Sequence, residues 1–327
     1  MKRYLLTIAL ASFLAGAGTL RAQSLESSFE FLRLPASAHN SSLGGHVVSA
    51  FDPSSALFLT NPALLSANES RLLGLNAMTW YSGTTVAGAQ FSNLFDERSH
   101  YAFNARYVSY GRMKETSADG TVTGTFSAKD MAVGVTWAYM LTDNLSGGVT
   151  ANIISSRYGS MTSVAIGVDL GLLWTNGEGL SCGLAATNLG GQIKAFENTF
   201  QKLPFDVCAG VTWKPSHAPF RFTLSCDNLT RWDASEFYFA DGDDRGFGEI
   251  LKRHLSFGAD INLTDRFYIA AGCNLRTRAE MAGKGSKGFT GMTIGTGLRL
   301  GKVMFDLSYG KYQVSESSLI CNFAFNI

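Results

Sequence analysis

Charged residues are scarce in this sequence. Asp, Glu, Lys and Arg make up 16% of the chain, whereas soluble domains carry about 25%. The formal net charge is only +1, which argues against a polyanionic partner such as nucleic acid. Long apolar runs are also missing beyond the N-terminus, since no run of 18 uncharged apolar residues, the length needed to cross a bilayer as a helix, occurs there. The sequence therefore excludes a protein built of membrane-spanning helices.

Residue types that usually carry chemistry are few and scattered. The five cysteines contain no C-x-x-C pair, and each falls in a predicted strand, so we interpret them as small apolar wall residues. The five histidines show no ligand spacing and are expected on the surface or in turns. Residues 179–183 match G-x-S-x-G, but they open a predicted strand instead of joining a strand to a helix. We expect no catalytic residue, no metal ligand and no cofactor.

The first 22 residues have the pattern of a secretory signal peptide. Lys2 and Arg3 form a basic start, and an apolar core follows from residue 4 to residue 17. A small residue, Ala22, precedes the expected cleavage site. The pattern predicts an exported protein whose mature chain starts near residue 23.

Period-two alternation is the strongest signal in the rest of the chain. In 131–139, large apolar residues at odd positions alternate with Ala, Gly and Thr, and 164–174 shows the same pattern. Runs of this kind are about 9–11 residues long, which is the length that a tilted transmembrane strand needs. Weaker runs occur at 71–80, 84–92, 100–109, 145–155, 180–189, 205–214, 219–229, 253–262, 266–276, 289–300, 302–311 and 318–327. The sequence predicts an all-β protein, a transmembrane antiparallel β-barrel of about 14 strands.

Short and long connections between these strands alternate. Segments such as 142–144 and 264–265 are turn-like, whereas 110–129, 190–204 and 230–252 are long. Bacterial barrels combine short periplasmic turns with long outer loops. We therefore expect a multi-pass protein in the cell outer membrane, in contact with its lipid, with both chain ends on the periplasmic side and long loops at the cell surface.

Residues 23–70 differ from the strand pattern. Two sharp helix starts occur there, one with Asp52 as cap before Pro53 and one with Asn61 as cap before Pro62, and Gly44-Gly45 suits a tight turn. Helices this short need packing around them. We interpret the segment as a plug inside the barrel, with residues 1–22 as the signal peptide and 71–327 as the barrel. The alternative is an irregular N-terminal arm.

The long connection at 231–253 contains many aromatic residues interleaved with acidic ones. Trp232, Phe237, Tyr238 and Phe239 are the candidates for a protein-contact surface, because aromatic side chains dominate such surfaces. The alternative is that they belong to the aromatic girdle of the barrel or fold back on its mouth.

Several motifs resemble one family. Residues 31–38, 43–45 and 61–65, read with 253–258 and 271–276, are similar to the PorQ family of type IX secretion system proteins, over essentially the whole chain. The Asn-Pro-Ala element at Asn61 is shared with the wider FadL-like group, which includes PorV and has fourteen-stranded barrels with an N-terminal hatch. The resemblance implies no enzyme activity. It implies a scaffold that holds a PorZ-like surface protein, in one attachment complex with PorU and PorV.

Two function classes follow from this sequence. The first is a scaffold component of the type IX secretion system, with a filled lumen and a surface partner. The alternative is a FadL-like transporter of hydrophobic solutes, for which we expect an apolar path beside the plug and a kink in one strand.

Overall fold

The computed structural model describes residues 28–51, 56–67, 71–196, 200–239, 245–281 and 288–327. The predicted signal peptide and the helix start at Asp52 and Pro53 lie outside these residues. No helix in the described part of the chain is long and apolar enough to cross a membrane.

Fourteen antiparallel strands form a closed barrel, as predicted. Each strand pairs with its neighbours along the chain, and β1 pairs with β14 from Leu72↔Asn326 to Thr79↔Leu319, which closes the sheet. The strands are β1 Leu72–Thr79, β2 Thr85–Leu94, β3 Ser99–Thr116, β4 Val122–Thr142, β5 Leu145–Tyr158, β6 Met161–Thr175, β7 Leu180–Lys194, β8 Asp206–Trp213, β9 Phe220–Cys226, β10 Leu255–Thr264, β11 Phe267–Asn274, β12 Met292–Leu300, β13 Val303–Gly310 and β14 Ser318–Asn326. Closure leaves no free edge that would invite aggregation.

The alternation of side chains gives the barrel an apolar outside. In β4, Val133, Val135 and Trp137 are exposed, whereas Thr136 and Ala138 between and beside them are buried. Large apolar side chains that point outward on a closed barrel match a lipid environment and would be unfavourable in water. The protein is therefore an outer-membrane barrel whose strands cross the bilayer.

Strand length corrects one expectation about the outer loops. Residues 110–129 were expected to form a long loop, but β3 and β4 continue through most of this segment as a two-stranded arm, with bulges in their pairing. Both faces of the arm are exposed to water, so its side chains do not alternate, and the alternation signal ends before the strands do. The turn at the tip is 117–121.

Short helices occur only in the plug segment and the outer connections of the described residues. The plug contains 3₁₀ helices at Glu30–Arg33, Ala56–Leu59 and Pro62–Ala67 and an α-helix at Ala38–Ser42. The outer connections contain 3₁₀ helices at Tyr81–Gly83 and Ala234–Glu236 and α-helices at Phe247–Lys252 and Leu275–Met281.

The described plug residues lie inside the barrel and descend through it. Residues 28–34 contact outer loop segments, since the Ser28 amide donates to the Lys202 carbonyl and Arg33 donates to Asn228. Residues 56–67 pack near the periplasmic end, where Phe58 and Leu65 meet the inner faces of β3 and β4. The chain then enters β1 at its periplasmic end.

Candidate functional site

Glycines in the barrel wall allow the plug to approach the sheet closely. A Cβ atom at Gly148 of β5 would lie 2.6 Å from the Ala63 amide nitrogen, and one at Gly258 of β10 would lie 2.7 Å from Leu43 Cβ. A Cβ atom at Gly272 of β11 would come similarly close to the backbone of the plug at Leu43 and Gly44. Real Cβ contacts are nearly always longer than 3.4 Å, so any side chain at these positions would displace the plug. The abundant glycine thus allows plug backbone to lie directly against the sheet.

Asn61 joins the plug to itself and to the wall. Its Oδ1 accepts from the Ala63 amide at 3.0 Å, which caps the helix Pro62–Ala67, while its Nδ2 donates to the Val48 carbonyl at 2.7 Å and the Leu172 carbonyl at 3.1 Å. The side chain is fully buried. Asn61 therefore links two plug segments to β6.

The Gly44-Gly45 turn is fixed in a similar way by one amide side chain. Both glycines have φ near +100°, a region that other residues rarely occupy. Asn40 donates to the Gly45 carbonyl at 2.9 Å and accepts from the Val47 amide at 2.9 Å. The turn reverses the chain below the helix Ala38–Ser42.

Buried charges hold that helix against the wall. Arg221 Nε donates to Asp260 Oδ2 at 2.8 Å, and Arg221 Nη2 lies 3.0 Å from His39 Nε2. The expectation that the histidines lie on the surface or in turns is wrong for His39 in the helix and His100 in β3, which are buried; His254 lies in a turn, as expected, and is also buried. In a barrel with a plug, polar residues on the inner face are enclosed, so a polar residue type does not indicate exposure.

A cavity of about 110 Å³ remains between the plug and the walls of β1 to β8. Its apolar side includes Leu32, Leu34, Val48 and Leu59. Its polar side comes from successive strands: Asn76, Asn104, Arg106, Thr150, Asn152, Asp169, Thr187, Asn188 and Asp206. The lining is mixed, so the cavity is not the continuous apolar path expected for a transporter.

Charges at the cavity wall have protein partners. Arg106 Nη1 lies 3.2–3.4 Å from the carbonyl oxygens of Phe31, Leu32 and Leu34, to which it donates. Asp169 accepts from Asn152 Nδ2 at 2.7 Å and from the backbone amide of Asn188, also at 2.7 Å. These bonds tie β5, β6 and β7 together beside the cavity.

β7 is irregular where it passes this cavity. Asn188 has a positive φ of 59°. The pairing of β7 with β6 shifts between Val168 and Leu170. As a result, Thr187 and Asn188 both line the cavity although they are adjacent in sequence. Two neighbouring residues on one face are the mark of a β-bulge. The bulge is a shift in register, and the inward strand kink expected for a transporter stays a prediction.

The seam between β7 and β8 ends at the same level. Its ladder runs from Leu180↔Trp213 to Thr187↔Asp206, and beyond Thr187 the outer part of β7 pairs with β6 and makes one isolated bridge, Gly191↔Lys202. Beyond Thr187, β7 and β8 are therefore not joined by a regular ladder.

Leu203 and Pro204 lie just before β8, where Pro204 contacts β7 and Leu203 packs against β6. The Leu203 side chain is buried among Phe29, Phe31 and Ile154, and the Pro204 carbonyl accepts from Asn188 Nδ2 at 3.1 Å. These contacts link the segment before β8 to the inner side of β5, β6 and β7.

The four aromatic residues proposed for partner contact fall into two pairs. Phe237 and Phe239 are buried in the outer connection, where the Arg253 guanidinium lies 3.9 Å from the centre of the Phe239 ring. Trp232 and Tyr238 are exposed by 42% and 62%. The outward pair is available to a partner, and the buried pair shapes the connection itself.

The cavity residues were not singled out from the sequence. The available signal was a polar residue at an inward position in successive strands, such as Asn76, Asn104 and Asn152, among small residues. The bulge at Asn188 leaves no such signal, because alternation in 189–194 is weak.

Comparisons with known proteins agree with the fold. No family model and no curated protein matches the sequence. Among solved structures, the Pseudomonas putida toluene transporter TodX is similar with a TM-score of 0.58 and 11% identity, covering 90% of this chain and 98% of that chain. The monoaromatic hydrocarbon channel CymD has a TM-score of 0.56 and 13% identity, covering 90% and 97%. A Pseudomonas aeruginosa FadL homologue has a TM-score of 0.52 and 10% identity, covering 87% and 96%. The chain shares the fold of these outer-membrane barrels.

Proposed function

We propose that this barrel lets small hydrophobic solutes pass the outer membrane and that they leave the cavity sideways between β7 and β8. The observation that carries the proposal is the bulge at Asn188, which ends the β7–β8 ladder beside the cavity. The names of the similar structures, a toluene transporter and a monoaromatic hydrocarbon channel, support the same class of solute. None of this requires a reacting group, which agrees with a protein that is not an enzyme.

Deletion of Asn188 tests the proposed exit. Removing the extra residue of the bulge lets 189–194 continue the register of β7 without turning its outward residues inward. We expect slower toluene entry into intact cells, where the lipopolysaccharide leaflet makes passage depend on the protein. An unchanged rate in a correctly inserted deletion variant would contradict the exit.

Leu203→Ala tests the same seam in the opposite direction. Shortening the Leu203 side chain removes most of the apolar group at the proposed exit, so the rate of toluene entry should rise. Leu173→Ala is the matched control, because Leu173 is also a buried inward leucine but packs in a separate core cluster with Leu57 and Leu64. Equal effects of the two variants would mean that general loosening of the lumen, and not the seam, controls passage.

A second proposal rests on the outer surface and on the PorQ-like motifs. We infer that the exposed pair Trp232 and Tyr238 contacts an extracellular protein, PorZ-like if the chain acts in a type IX attachment complex with PorU and PorV. The Trp232 ring stacks on the exposed Phe247 at 5.8 Å between centroids, which gives a broad apolar surface. This scaffold role and the passage of solutes use different parts of the molecule.

Alanine substitutions separate surface contact from structure in this connection. Trp232→Ala with Tyr238→Ala should release the partner, at a cost of about 2 kcal/mol or more for each contact residue, while the barrel inserts normally. Phe237→Ala with Phe239→Ala should instead disorder the connection, since both rings are buried. Crosslinking in intact cells, followed by identification of the crosslinked partner, measures partner contact in both double variants. If the double variant at Trp232 and Tyr238 still binds the partner fully, the contact lies on another outer segment.

A further inference from the structure

The outward face of β4 shows where the lipid-facing surface ends. Large apolar side chains alternate along it and are all exposed: Met131, Val133, Val135, Trp137, Tyr139 and Leu141. At about 3.4 Å per residue, Met131 and Leu141 are about 34 Å apart along the strand, or about 26 Å along the axis of a barrel whose strands tilt by about 40°. This height matches the apolar band of about 25 Å in outer-membrane barrels. The band therefore ends at Met131 on the outer side.

Positive charges follow directly above this apolar band. Lys129 is the next outward residue of β4 beyond Met131, and it pairs with Arg157 of β5. Both side chains are exposed. Directly opposed residues of antiparallel strands have Cβ atoms about 4.5–5.5 Å apart, and like charges in such a pair destabilise the sheet. The pair is therefore unfavourable unless an anion lies between the two charges.

A β-bulge in β3 adds two more cations to the same face. The pairing of β3 with β4 shifts between Ser109 and Arg112, where β3 contains one extra residue. Without the bulge, the outward face of β3 would continue with Met113 and Glu115. With it, Arg112 and Lys114 pair with the outward residues of β4, and both are exposed. The bulge thus exchanges a carboxylate for two cations on the outward face.

No carboxylate of the described residues balances these charges. Arg112, Lys114, Lys129 and Arg157, together the cation cluster, form no ion pair with another described residue. Asp130, which follows Lys129 in sequence, is buried on the inner face of the sheet. The formal net charge of the whole chain is only +1, so the cation cluster is a local excess of positive charge.

We propose that the cation cluster binds the phosphate groups of a phosphorylated glycolipid in the outer leaflet, with the acyl chains of that lipid on the apolar band below. Phosphate oxygens accept charge-assisted hydrogen bonds from Lys and Arg and would relieve the repulsion between Lys129 and Arg157. A lipid fits better than a soluble anion because the cluster continues the lipid-facing surface without a break, at the level of the head groups. This contact goes beyond the passage of solutes and does not depend on it.

The test is lipid binding by the purified full-length barrel in a nonionic detergent. Native mass spectrometry measures bound lipid as the concentration of bisphosphorylated lipid A is raised, and again with lipid A from which both phosphates have been removed. The parent should bind the phosphorylated form more tightly. Lys129→Gln with Arg157→Gln should weaken that binding by about 25-fold, since each cation near an anionic lipid surface contributes about fivefold. Binding of the dephosphorylated form should not change.

Arg266→Gln with Lys302→Gln is the matched control. Both residues are exposed in turns at the periplasmic end, the first between β10 and β11 and the second between β12 and β13. This variant loses the same amount of charge as the variant of the cation cluster, but at the opposite end of the barrel. It should bind phosphorylated lipid A as the parent does. Both double variants replace exposed side chains, so their heat-modifiable migration should match that of the parent.

Three results would overturn the inference. Equal affinity of the parent for the two forms of lipid A would mean that the apolar band alone holds the lipid. Equal weakening in the control variant would mean that net charge, and not the cation cluster, determines binding. Displacement of lipid A by inorganic phosphate at an equal concentration would identify a site for a free anion instead of a lipid.

Discussion

Gly148→Val should open the lumen without breaking the barrel. Gly148 lies opposite Gly171 in the wall, and its Cβ would come within 2.6 Å of both the Pro62 carbonyl oxygen and the Ala63 amide nitrogen. Ordinary contacts lie near 3.5 Å, so the plug must retreat by about 1 Å. This retreat disrupts the hydrogen bonds of Asn61 to Val48 and Leu172, worth about 1 kcal/mol each, and adds an overpacking cost of about 1–3 kcal/mol.

The matched control is the neighbouring glycine. Gly147 faces outward, and a Cβ there would meet Leu141 Cδ1 at 3.5 Å and Leu172 Cδ2 at 3.7 Å, which are normal contacts. Gly147→Val should therefore keep the lumen sealed and fit the apolar exterior. Both variants carry the same side chain in the same strand, so only the face differs.

Liposome swelling with a small sugar measures the seal, and heat-modifiable migration on a gel measures whether the barrel has formed. The Gly148 variant should admit the sugar, and the Gly147 variant and the parent should not. A sealed, normally stable Gly148 variant would refute the close contact between plug and wall. If the valine variant does not insert, Gly148→Ala is the milder version of the same test, because it introduces the same Cβ.

Three further expectations follow from the structure. The unheated protein should sit in the outer-membrane fraction and migrate differently from the heated one; recovery from the soluble periplasm would contradict the barrel. A tag at Gly120, at the tip of the β3–β4 arm, should be accessible on intact cells, whereas a tag at Gly177, in the turn between β6 and β7, should not; reversed labelling would invert the orientation. Asn61→Ala should destabilise the folded protein by about 2–3 kcal/mol through its lost cap and two buried bonds; Asn144→Ala, which removes one exposed bond at a periplasmic turn, should change stability by less than 1 kcal/mol in the same denaturation.

The sequence was most informative where one rule acts on every residue of a strand. Alternation predicted β4 and β6, because lipid on one side and a packed lumen on the other impose opposite demands on neighbouring side chains; the count of fourteen came from alternation together with the FadL-like resemblance. The rule fails in 110–129, where both faces meet water and the strands continue without alternation. It fails again at Asn188, where one extra residue resets which positions face outward.

The candidate site was harder to predict because it depends on pairs of distant residues. Nothing near Gly148 in sequence indicates that Pro62 and Ala63 lie against it, and nothing near Asn188 indicates Pro204. The burial of the aromatic residues in 231–253 could not be predicted from the sequence for the same reason. Phe237 and Tyr238 are adjacent aromatic residues, yet one ring is enclosed by His254 and Arg276 and the other is exposed.

The packing around the cavity favours a sideways exit over a route through the plug. Toward the periplasm, a solute must displace the layer formed by Phe58 and Leu65, which is held by the capped helix that Asn61 begins. Burial of such side chains is worth about 1.5–3 kcal/mol each, and the backbone of Pro62 and Ala63, in the same helix as Leu65, lies directly against the wall glycine Gly148. The proposed exit toward the lipid requires displacement of Leu203 and loss of the hydrogen bond from Asn188 to Pro204, a total of about 2–4.5 kcal/mol. In the proposed passage the lateral route displaces one buried side chain and the route through the plug displaces two, so passage should respond to changes at the β7–β8 seam while the plug stays in place.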